Sequence, residues 1–463
     1  MAARHPHSSP FRLRRVVSAT GHAMAFSVVA WTAPATAQTE AAGDFLLSGT
    51  SRLRVEAIDG QARAGFNEAD ELVNLRTTVM AQYRNGPLRL VAELWDSRVY
   101  GDDRGTPIGT GEVNTAELVQ AFAEVKTRGL IGTGSSATVA AGRFVLNLGS
   151  RRLIAADDYR NTTNGYTGLR ADLAWQGGWN ATLIYTLPQQ RRPDDLGRLR
   201  RNVARFDDEG FDLVLWGGLL SRSRAIGPVT VEGSYFHLGE RDTPARPTRD
   251  RSLDTASVRL IRDPAAAQVD GEIEAIVQRG HVSTGLAATA AQQSVRAWFV
   301  HADTGYSVAD RWKTRLSVEY DHASGDRPGG ANGRFDTLFG MRRADLAPAG
   351  LYNAISRSNV ISAGVRVEAT PDKRTDLMAT LHPMWLAARE DSFASTGVRD
   401  LSGRAGRYAG TQFDGRVRHL IMPWLRLELD GVLLAKGRFL REAPNAPAGR
   451  WTRYVSMNAT ATF

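Results

Sequence analysis

The sequence predicts an all-β fold: a transmembrane, antiparallel, up-and-down β-barrel of about eighteen strands, with short periplasmic turns and long extracellular loops. Three observations lead to this prediction. Apolar and polar residues alternate with a period of two from Phe45 to Phe463, short and long connections alternate, and no later apolar stretch approaches the ~20 residues of a spanning helix. Without such helices, a chain crosses a bilayer only as a closed barrel, whose alternate side chains face lipid and lumen.

The N-terminus has the order of segments found in a secretory signal peptide. Four arginines (Arg4, Arg12, Arg14 and Arg15) precede the apolar run AMAFSVVAW, and the small-residue site Ala35-Thr36-Ala37 follows. A buried N-terminal helix would not explain this order. We therefore predict a cleaved signal peptide over residues 1–37 and a mature barrel over residues 38–463.

Composition fits an exported protein and limits its partners. The chain has no cysteine, which excludes disulfides, thiolate metal sites and cysteine nucleophiles. Removal of the four signal-peptide arginines lowers the formal net charge from +9 to +5. Nearly all basic residues are arginine, which stays charged and binds carboxylates through a planar fork. Because these residues are dispersed among nearly as many acids, nucleic acid is not an expected partner.

The first three strands illustrate the pattern that runs through the chain. Segment 45–58 alternates Leu53 and Val55 with Arg52 and Arg54, and 72–84 and 88–96 follow the same period around the tight-turn dipeptide Asn85-Gly86. The other predicted strands are 116–127, 136–147, 166–176, 179–187, 209–222, 228–240, 252–263, 270–278, 294–307, 311–322, 360–370, 375–384, 408–420, 424–436 and 451–463.

The connections favour a membrane barrel over soluble all-β folds. Tight turns are predicted at Asn85-Gly86, Gly177-Gly178, Val308–Asp310, Pro371–Arg374 and Ile421–Pro423, and long polar stretches at 97–115, 148–165, 188–208, 323–359, 385–407 and 437–450. A β-sandwich has no reason to segregate loop lengths so regularly, and no internal repeat indicates a propeller. The last strand must pair with the first, and its terminal Phe463 predicts recognition by the barrel assembly machinery.

Several stretches resemble the alginate export family of outer-membrane proteins. They are GRFVLNLGSRRLIAADDYRNT (142–162), EYDHASGDRPGGANGRFDTLFGMRRAD (319–345), Arg357-Ser358-Asn359, WLAARED (385–391), STGVRD (395–400), KGRFLREAPNAP (436–447) and the terminal strand. The resemblance implies an eighteen-stranded monomeric barrel in the outer membrane of a Gram-negative bacterium. It also implies a passive, anion-selective channel that exports an acidic polysaccharide such as alginate, aided by periplasmic components, with basic lumen residues binding uronate carboxylates. Phe144 departs from the family pattern, and a plug would have to come from a loop such as 97–115 or 323–359.

The alternation predicts which charged side chains line the lumen. The candidates for contact with an anionic substrate are Arg54, Arg76, Arg143, Arg170, Arg259, Arg315, Asp321, Arg366, Arg416 and Arg418. Charged side chains on a barrel wall must face inward whatever they do, since exposure to lipid at the midplane costs about 2–4 kcal/mol. Each arginine could therefore brace the wall through a carboxylate instead of binding a substrate.

No motif predicts catalysis or a cofactor. The sequence has no Gly-x-Ser-x-Gly elbow, phosphate-binding loop or His-Glu-x-x-His, and the mature histidines are isolated. Asp321, Asp326 and Asp336 could hold surface calcium, although their spacing is not that of an EF-hand. Two alternatives to polysaccharide export are a porin for uptake of small anionic solutes and a surface enzyme or adhesin.

Overall fold

A computed structural model describes residues 43–157, 159–244, 246–342 and 345–463; the predicted signal peptide lies outside them. Eighteen antiparallel strands and two five-residue helices occur in this part of the chain. In chain order they are β1 (Asp44–Asp59), β2 (Ala69–Asn85), β3 (Leu88–Tyr100), β4 (Asn114–Arg128), β5 (Ser136–Val145), β6 (Gly165–Trp175), β7 (Trp179–Pro188), α1 (Leu196–Arg200), β8 (Leu213–Ile226), β9 (Val229–Glu240), β10 (Ser252–Arg262), β11 (Gln268–Ser283), β12 (Gln292–Ser307), β13 (Arg315–Ala323), β14 (Val360–Asp372), β15 (Thr375–Trp385), β16 (Tyr408–Met422), β17 (Leu425–Lys436), α2 (Arg438–Glu442) and β18 (Trp451–Thr462).

The predicted barrel is confirmed, and two strand starts are corrected. β8 begins at Leu213 rather than at residue 209, because the Leu213 N–H bonds to the Gly210 carbonyl in a turn. β13 begins at Arg315 rather than at residue 311, because the Asp310 carboxylate accepts the Thr314 N–H at 2.9 Å. That contact makes residues 308–314 a capped turn, longer than the tight one predicted.

The sheet closes through the two ends of the chain. β1 pairs with β2 on one side and with β18 on the other, so no edge strand is left. At the seam, the Phe463 N–H donates to the Gly49 carbonyl at 3.0 Å and the Gly49 N–H donates to the Phe463 carbonyl at 2.9 Å. Closure satisfies backbone groups that lipid could not.

The two faces of the wall meet different surroundings. Along β1, Leu53 and Val55 are 46% and 42% exposed, whereas Arg54 between them is only 2% exposed. The outer face is therefore apolar and the inner face carries charge, the reverse of a soluble protein and the pattern of a barrel in lipid. Among the described residues, no helix is long and apolar enough to cross a bilayer.

Connection lengths divide the barrel into two ends. Eight connections, including those that link β2 to β3, β14 to β15 and β16 to β17, lie at one end of the barrel, the short-turn end. The start of β1 and the end of β18 lie at the same end. Nine longer connections meet at the opposite, long-loop end, among them 146–164, 189–212 and 324–359. By the usual arrangement of outer-membrane barrels, the short turns are periplasmic and the long loops extracellular.

The buried apolar core lies inside the barrel, toward the long-loop end. Inward strand residues such as Phe144 and Tyr166 pack with loop residues Leu351, Tyr352 and Phe393 in one buried cluster. Loops therefore fill much of this half of the lumen, and the open space lies around and below them.

Candidate functional site

Three wall arginines hold loop 146–164 inside the lumen. The Tyr159 carbonyl accepts hydrogen bonds from Arg52 at 3.1 Å and Arg54 at 2.7 Å, and the Arg160 carbonyl accepts bonds from Arg52 at 2.7 Å and Arg76 at 3.0 Å. The guanidinium of Arg54 also lies 4.2 Å from the centre of the Tyr159 ring. Because these arginines lie in mid-strand, the loop reaches well below the rim.

Loop 324–359 enters from the same end and is fixed by hydrogen bonds that a backbone N–H and a tyrosine hydroxyl donate. The Leu351 N–H donates to the Glu56 carboxylate at 2.7 Å, and the Tyr352 hydroxyl donates to the Gln412 amide oxygen at 2.5 Å. Of the two loops expected from sequence to supply a plug, 323–359 lies in the lumen as loop 324–359, where it is joined by 146–164. Val113, from the other stretch (97–115), belongs to the same buried cluster.

The two loops are joined by a buried ionic lock, defined as Arg152, Asp345 and Arg357. Arg152 donates two hydrogen bonds to Asp345, at 2.8 and 3.0 Å, and Arg357 donates to the same carboxylate. Arg152 also reaches Glu274 on β11 at 2.7 Å, which ties both loops to the wall. Burial raises the pKa of Asp345, but the two guanidiniums outweigh burial and hold that pKa well below its usual value.

The inward loops separate two cavities. An outer cavity of about 650 Å³, at the long-loop end, is lined by Arg342 and four further arginines, Arg246, Arg249, Arg251 and Arg334. An inner cavity of about 580 Å³, toward the short-turn end, is lined by the preceding residue, Met341. Burial, with the nearby charge of Arg160, lowers the pKa of Arg342 to about 10, so Arg342 is still charged at neutral pH. The segment at 341–342 therefore forms part of the partition.

Positive charge predominates around the inner cavity. Its charged lining comprises eight arginines and two glutamates: Arg52, Arg54, Arg76, Arg151, Arg366, Arg416, Arg418, Arg426, Glu368 and Glu428. Five of the ten residues predicted from sequence are in this group. Within the described part of the chain, Arg151 and Arg426 form no ion pair, so their charge acts on the cavity itself.

A side cavity of about 550 Å³ continues the inner one along the wall. Arg416 and Arg418 line both, and Arg315, a further predicted residue, lines only the side cavity. Arg315 is held by Asp270 at 2.5 Å and also contacts Asp303. It therefore braces adjacent strands while facing the open space.

Several predicted arginines are paired with carboxylates of the wall. The pairs are Arg54–Glu56 at 3.5 Å, Arg170–Glu124 at 3.2 Å, Arg170–Asp172 at 2.8 Å, Arg259–Glu232 at 3.5 Å, Arg366–Glu319 at 2.9 Å, Arg259–Glu272 and Arg418–Glu428. Arg170 and Arg259 line neither the inner nor the side cavity. The contacts of Arg170 and Arg259 are those of arginines that brace the wall through carboxylates.

Arg143 does not join the other predicted residues. It alternates with Phe144, which is fully buried, and its register partners are Ala121 and Thr167. At the long-loop end it binds Glu117 at 2.9 Å and Glu209 at 2.5 Å. Arg143 therefore lines none of the three cavities, and the buried side chain next to it in the core is the apolar Phe144.

Asp321 is buried against His301, at 2.9 Å between carboxylate oxygen and Nδ1. Potential ligand atoms of His301, Asp321 and Asp345 lie within 4.8 Å of one another, but Asp345 is already neutralised by the ionic lock. Asp336 instead pairs with Arg251 at 2.9 Å. Among the described residues, the group with metal-ligand spacing contains neither Asp326 nor Asp336, so the three aspartates considered for calcium do not form one group.

Sequence reasoning missed Arg151, Arg152 and Asp345, which lie in loops without periodicity. Their only signal was that they fall within the two longest stretches of family resemblance. Arg426 was also missed, although it alternates correctly with the inward Glu428 on β17.

Comparison with known proteins decides the family. The sequence profile described as "Alginate export" matches residues 47–452, nearly the whole chain. The chain belongs to the alginate export family. It is an outer-membrane β-barrel. No curated protein matches this family member at a significant level.

Solved structures with the same fold include outer-membrane porins. The barrel is similar to Acinetobacter baumannii OccAB1 (TM-score 0.56, 11% identity, 90% of this chain and 96% of that one). It is also similar to Pseudomonas aeruginosa OccK8 (OprE), with a TM-score of 0.56 and 9% identity over 91% of this chain and 98% of that one. A third similar structure is Pseudomonas aeruginosa OccK2 (OpdF) in complex with glucuronate, with a TM-score of 0.54 and 12% identity over 91% of this chain and 98% of that one. At such identities the similarity extends to the fold alone.

Proposed function

We propose that this outer-membrane channel passively exports an acidic polysaccharide, an alginate-like polyuronate. The observation that carries the proposal is the inner cavity, whose charged lining of eight arginines and two glutamates faces the periplasmic side. Such an excess of one charge in a confined space raises the local concentration of anions. Membership in the alginate export family supports a carboxylated sugar as the anion.

Arg151 and Arg426 are the residues expected to act most directly on the polymer. Both line the inner cavity, one from loop 146–164 and one from β17, and neither has a carboxylate partner among the described residues. A guanidinium binds a carboxylate through two parallel hydrogen bonds. In a wet cavity these contacts are weak enough for a polymer to move from one site to the next, as conduction requires.

A second candidate function is the uptake of small anionic solutes such as single uronates. The observation that favours it is the partition itself, because loops 146–164 and 324–359 occupy the lumen and a polymer has to pass them. The similar barrel of Pseudomonas aeruginosa OccK2 was solved with glucuronate, a single uronate.

Block of single channels by uronates of increasing length tests the proposal. Purified protein in planar bilayers is exposed from the short-turn side to mono-, tri- and hexauronates, with neutral oligosaccharides of equal length as controls. Export of a polymer predicts that blocking affinity increases with chain length and falls about tenfold or more in Arg151→Glu/Arg426→Glu. The control is Arg311→Glu, which makes the charge change of one of these two substitutions at an exposed turn residue outside the cavities.

The outcome also separates the two candidates. Measurable permeation of the single uronate without length-dependent block favours small-solute uptake and contradicts polymer export. Equal block by neutral and charged oligosaccharides contradicts both.

Two partners are expected, one for assembly of the barrel and one for delivery of the polymer. We expect the terminal strand, with Phe463, to be recognised by the barrel assembly machinery, and periplasmic export components to deliver polymer to the short-turn end. Because the barrel closes on itself, a monomer suffices for the channel.

A further inference from the structure

Two arginines face each other on the outside of the barrel. Arg279 on β11 and Arg296 on β12 are register partners, and both are exposed on the outward face near the long-loop end. Like charges directly opposite each other on adjacent strands are destabilising. A sheet keeps such a pair at low cost only when something negative neutralises it.

The described part of the chain places one acid opposite the pair but forms no ion pair with either arginine. Within the described residues, neither side chain forms a hydrogen bond or an ion pair. The nearest acid in the register is Asp254, opposite Arg279, but its carboxylate accepts a hydrogen bond from the Tyr235 hydroxyl at 2.6 Å and contacts His237 at 2.8 Å. The two guanidiniums are therefore left to a ligand or to solvent.

Two other outward arginines at this end are neutralised within the protein. Arg453 on β18 pairs with Asp59 at 2.9 Å, and Arg98 on β3 pairs with Asp96 at 2.8 Å. The unpaired state of Arg279 and Arg296 is thus not a general property of this rim.

The height of the pair on the barrel identifies its surroundings. Outward-facing Trp298 and Tyr306 on β12 lie eight residues apart, about 27 Å along a strand, which a usual tilt reduces to about 20 Å across the membrane. These aromatic residues mark the two edges of the apolar band. Arg296 lies one outward position beyond Trp298, and Arg279 one beyond the lipid-facing Val277, so both are level with the headgroups of the outer leaflet.

We propose that Arg279 and Arg296 form a binding site for a phosphate group of an outer-leaflet glycolipid. Phosphate accepts bidentate hydrogen bonds from guanidinium groups, and a shared dianion removes the repulsion between the two arginines. A lipid-borne phosphate fits better than a free one, because acyl chains of the same molecule would cover the exposed Val277 and Trp298 side chains below it. This site is independent of what the lumen carries.

Native mass spectrometry of the full mature barrel tests the site. Protein in a mild detergent is titrated with bisphosphorylated lipid A, with the same lipid lacking phosphates, and with inorganic phosphate. Wild-type protein should retain the phosphorylated lipid, and Arg279→Gln/Arg296→Gln should bind it at least tenfold more weakly. Arg279→Lys/Arg296→Lys keeps both positive charges but lacks the planar guanidinium groups, so its affinity for the lipid should lie between those of wild type and the glutamine variant. Arg453→Gln is the control and should bind the lipid as wild type does.

Three results would overturn the proposal: equal retention by wild type and the double glutamine variant, equal retention of the lipid without phosphates, or displacement of the lipid by inorganic phosphate at similar concentration. The last result would mean a free-anion site. Folding of each variant is checked by its heat-modifiable migration on gels. If the double variant does not fold, a fivefold or greater loss in Arg296→Gln alone supports the site and an unchanged affinity overturns it.

Discussion

Arg152 and Asp345 lie 193 residues apart in the sequence and are joined in the lumen by two hydrogen bonds of 2.8 and 3.0 Å. The pair connects loop 146–164 to loop 324–359, and Arg357 completes the ionic lock from the second loop. Since both loops occupy the lumen, the position of the partition depends on this contact.

Replacing Asp345 by Asn should open the channel. The change leaves Arg152 and Arg357 without their shared carboxylate, and breaking a buried ion pair in this way costs about 3–5 kcal/mol. We expect a larger single-channel conductance and frequent transitions between conductance levels in planar bilayers. Arg438→Gln removes an ion pair with Glu442 on the exposed helix α2 and should leave conductance unchanged. A quiet, wild-type conductance in Asp345→Asn would mean that the lock does not hold the partition.

The ionic lock should hold the partition in place in mild acid. The pKa of Asp345 is lowered in the folded protein, so its stabilising contribution is present above the ordinary carboxyl pKa of about 3.9 and is lost only as pH falls through the lowered value. We therefore expect the same conductance at pH 7 and pH 4.5 for wild-type protein. An increase on acidification that is absent in Asp345→Asn would contradict this assignment.

Closure of the barrel should fail when Gly49 gains a side chain. A Cβ at this position would overlap the Phe463 ring and the Thr78 carbonyl on the two neighbouring strands. Overpacking of this kind costs about 1–3 kcal/mol, so Gly49→Val should lower the fraction of folded, heat-modifiable protein on gels. Gly330→Ala is the control, because nothing lies within 4 Å of the added methyl group there. Equal folded fractions for both variants would show that the seam adapts.

The strands could be predicted from sequence because hydrocarbon is a uniform environment for every second residue. This rule holds where lipid lies outside and polar groups lie inside, as at Leu53 and Arg54. It fails at Phe144, an apolar residue that packs with loop residues inside the barrel. It also misplaced the start of β13, because the Asp310 side chain, not the alternation, ends the turn.

The candidate site was predictable only in part, for a related reason. Arg416 and Arg418 follow from the period of β16, and both line the inner cavity. Arg151 and the ionic lock come from loops, where no periodicity relates residue 152 to residue 345. Which wall arginines are neutralised depends on cross-strand register, and a single sequence does not give that register.

The most direct measurement is the reversal potential of single channels in a salt gradient, with wild-type protein and Arg151→Glu/Arg426→Glu side by side. Eight arginines against two glutamates in the lining of the inner cavity predict that wild-type channels favour chloride over potassium. The double variant should shift clearly toward potassium, and Arg311→Glu should not. A cation-selective wild-type channel, or a selectivity that the double variant leaves unchanged, would contradict a cavity built to bind carboxylates.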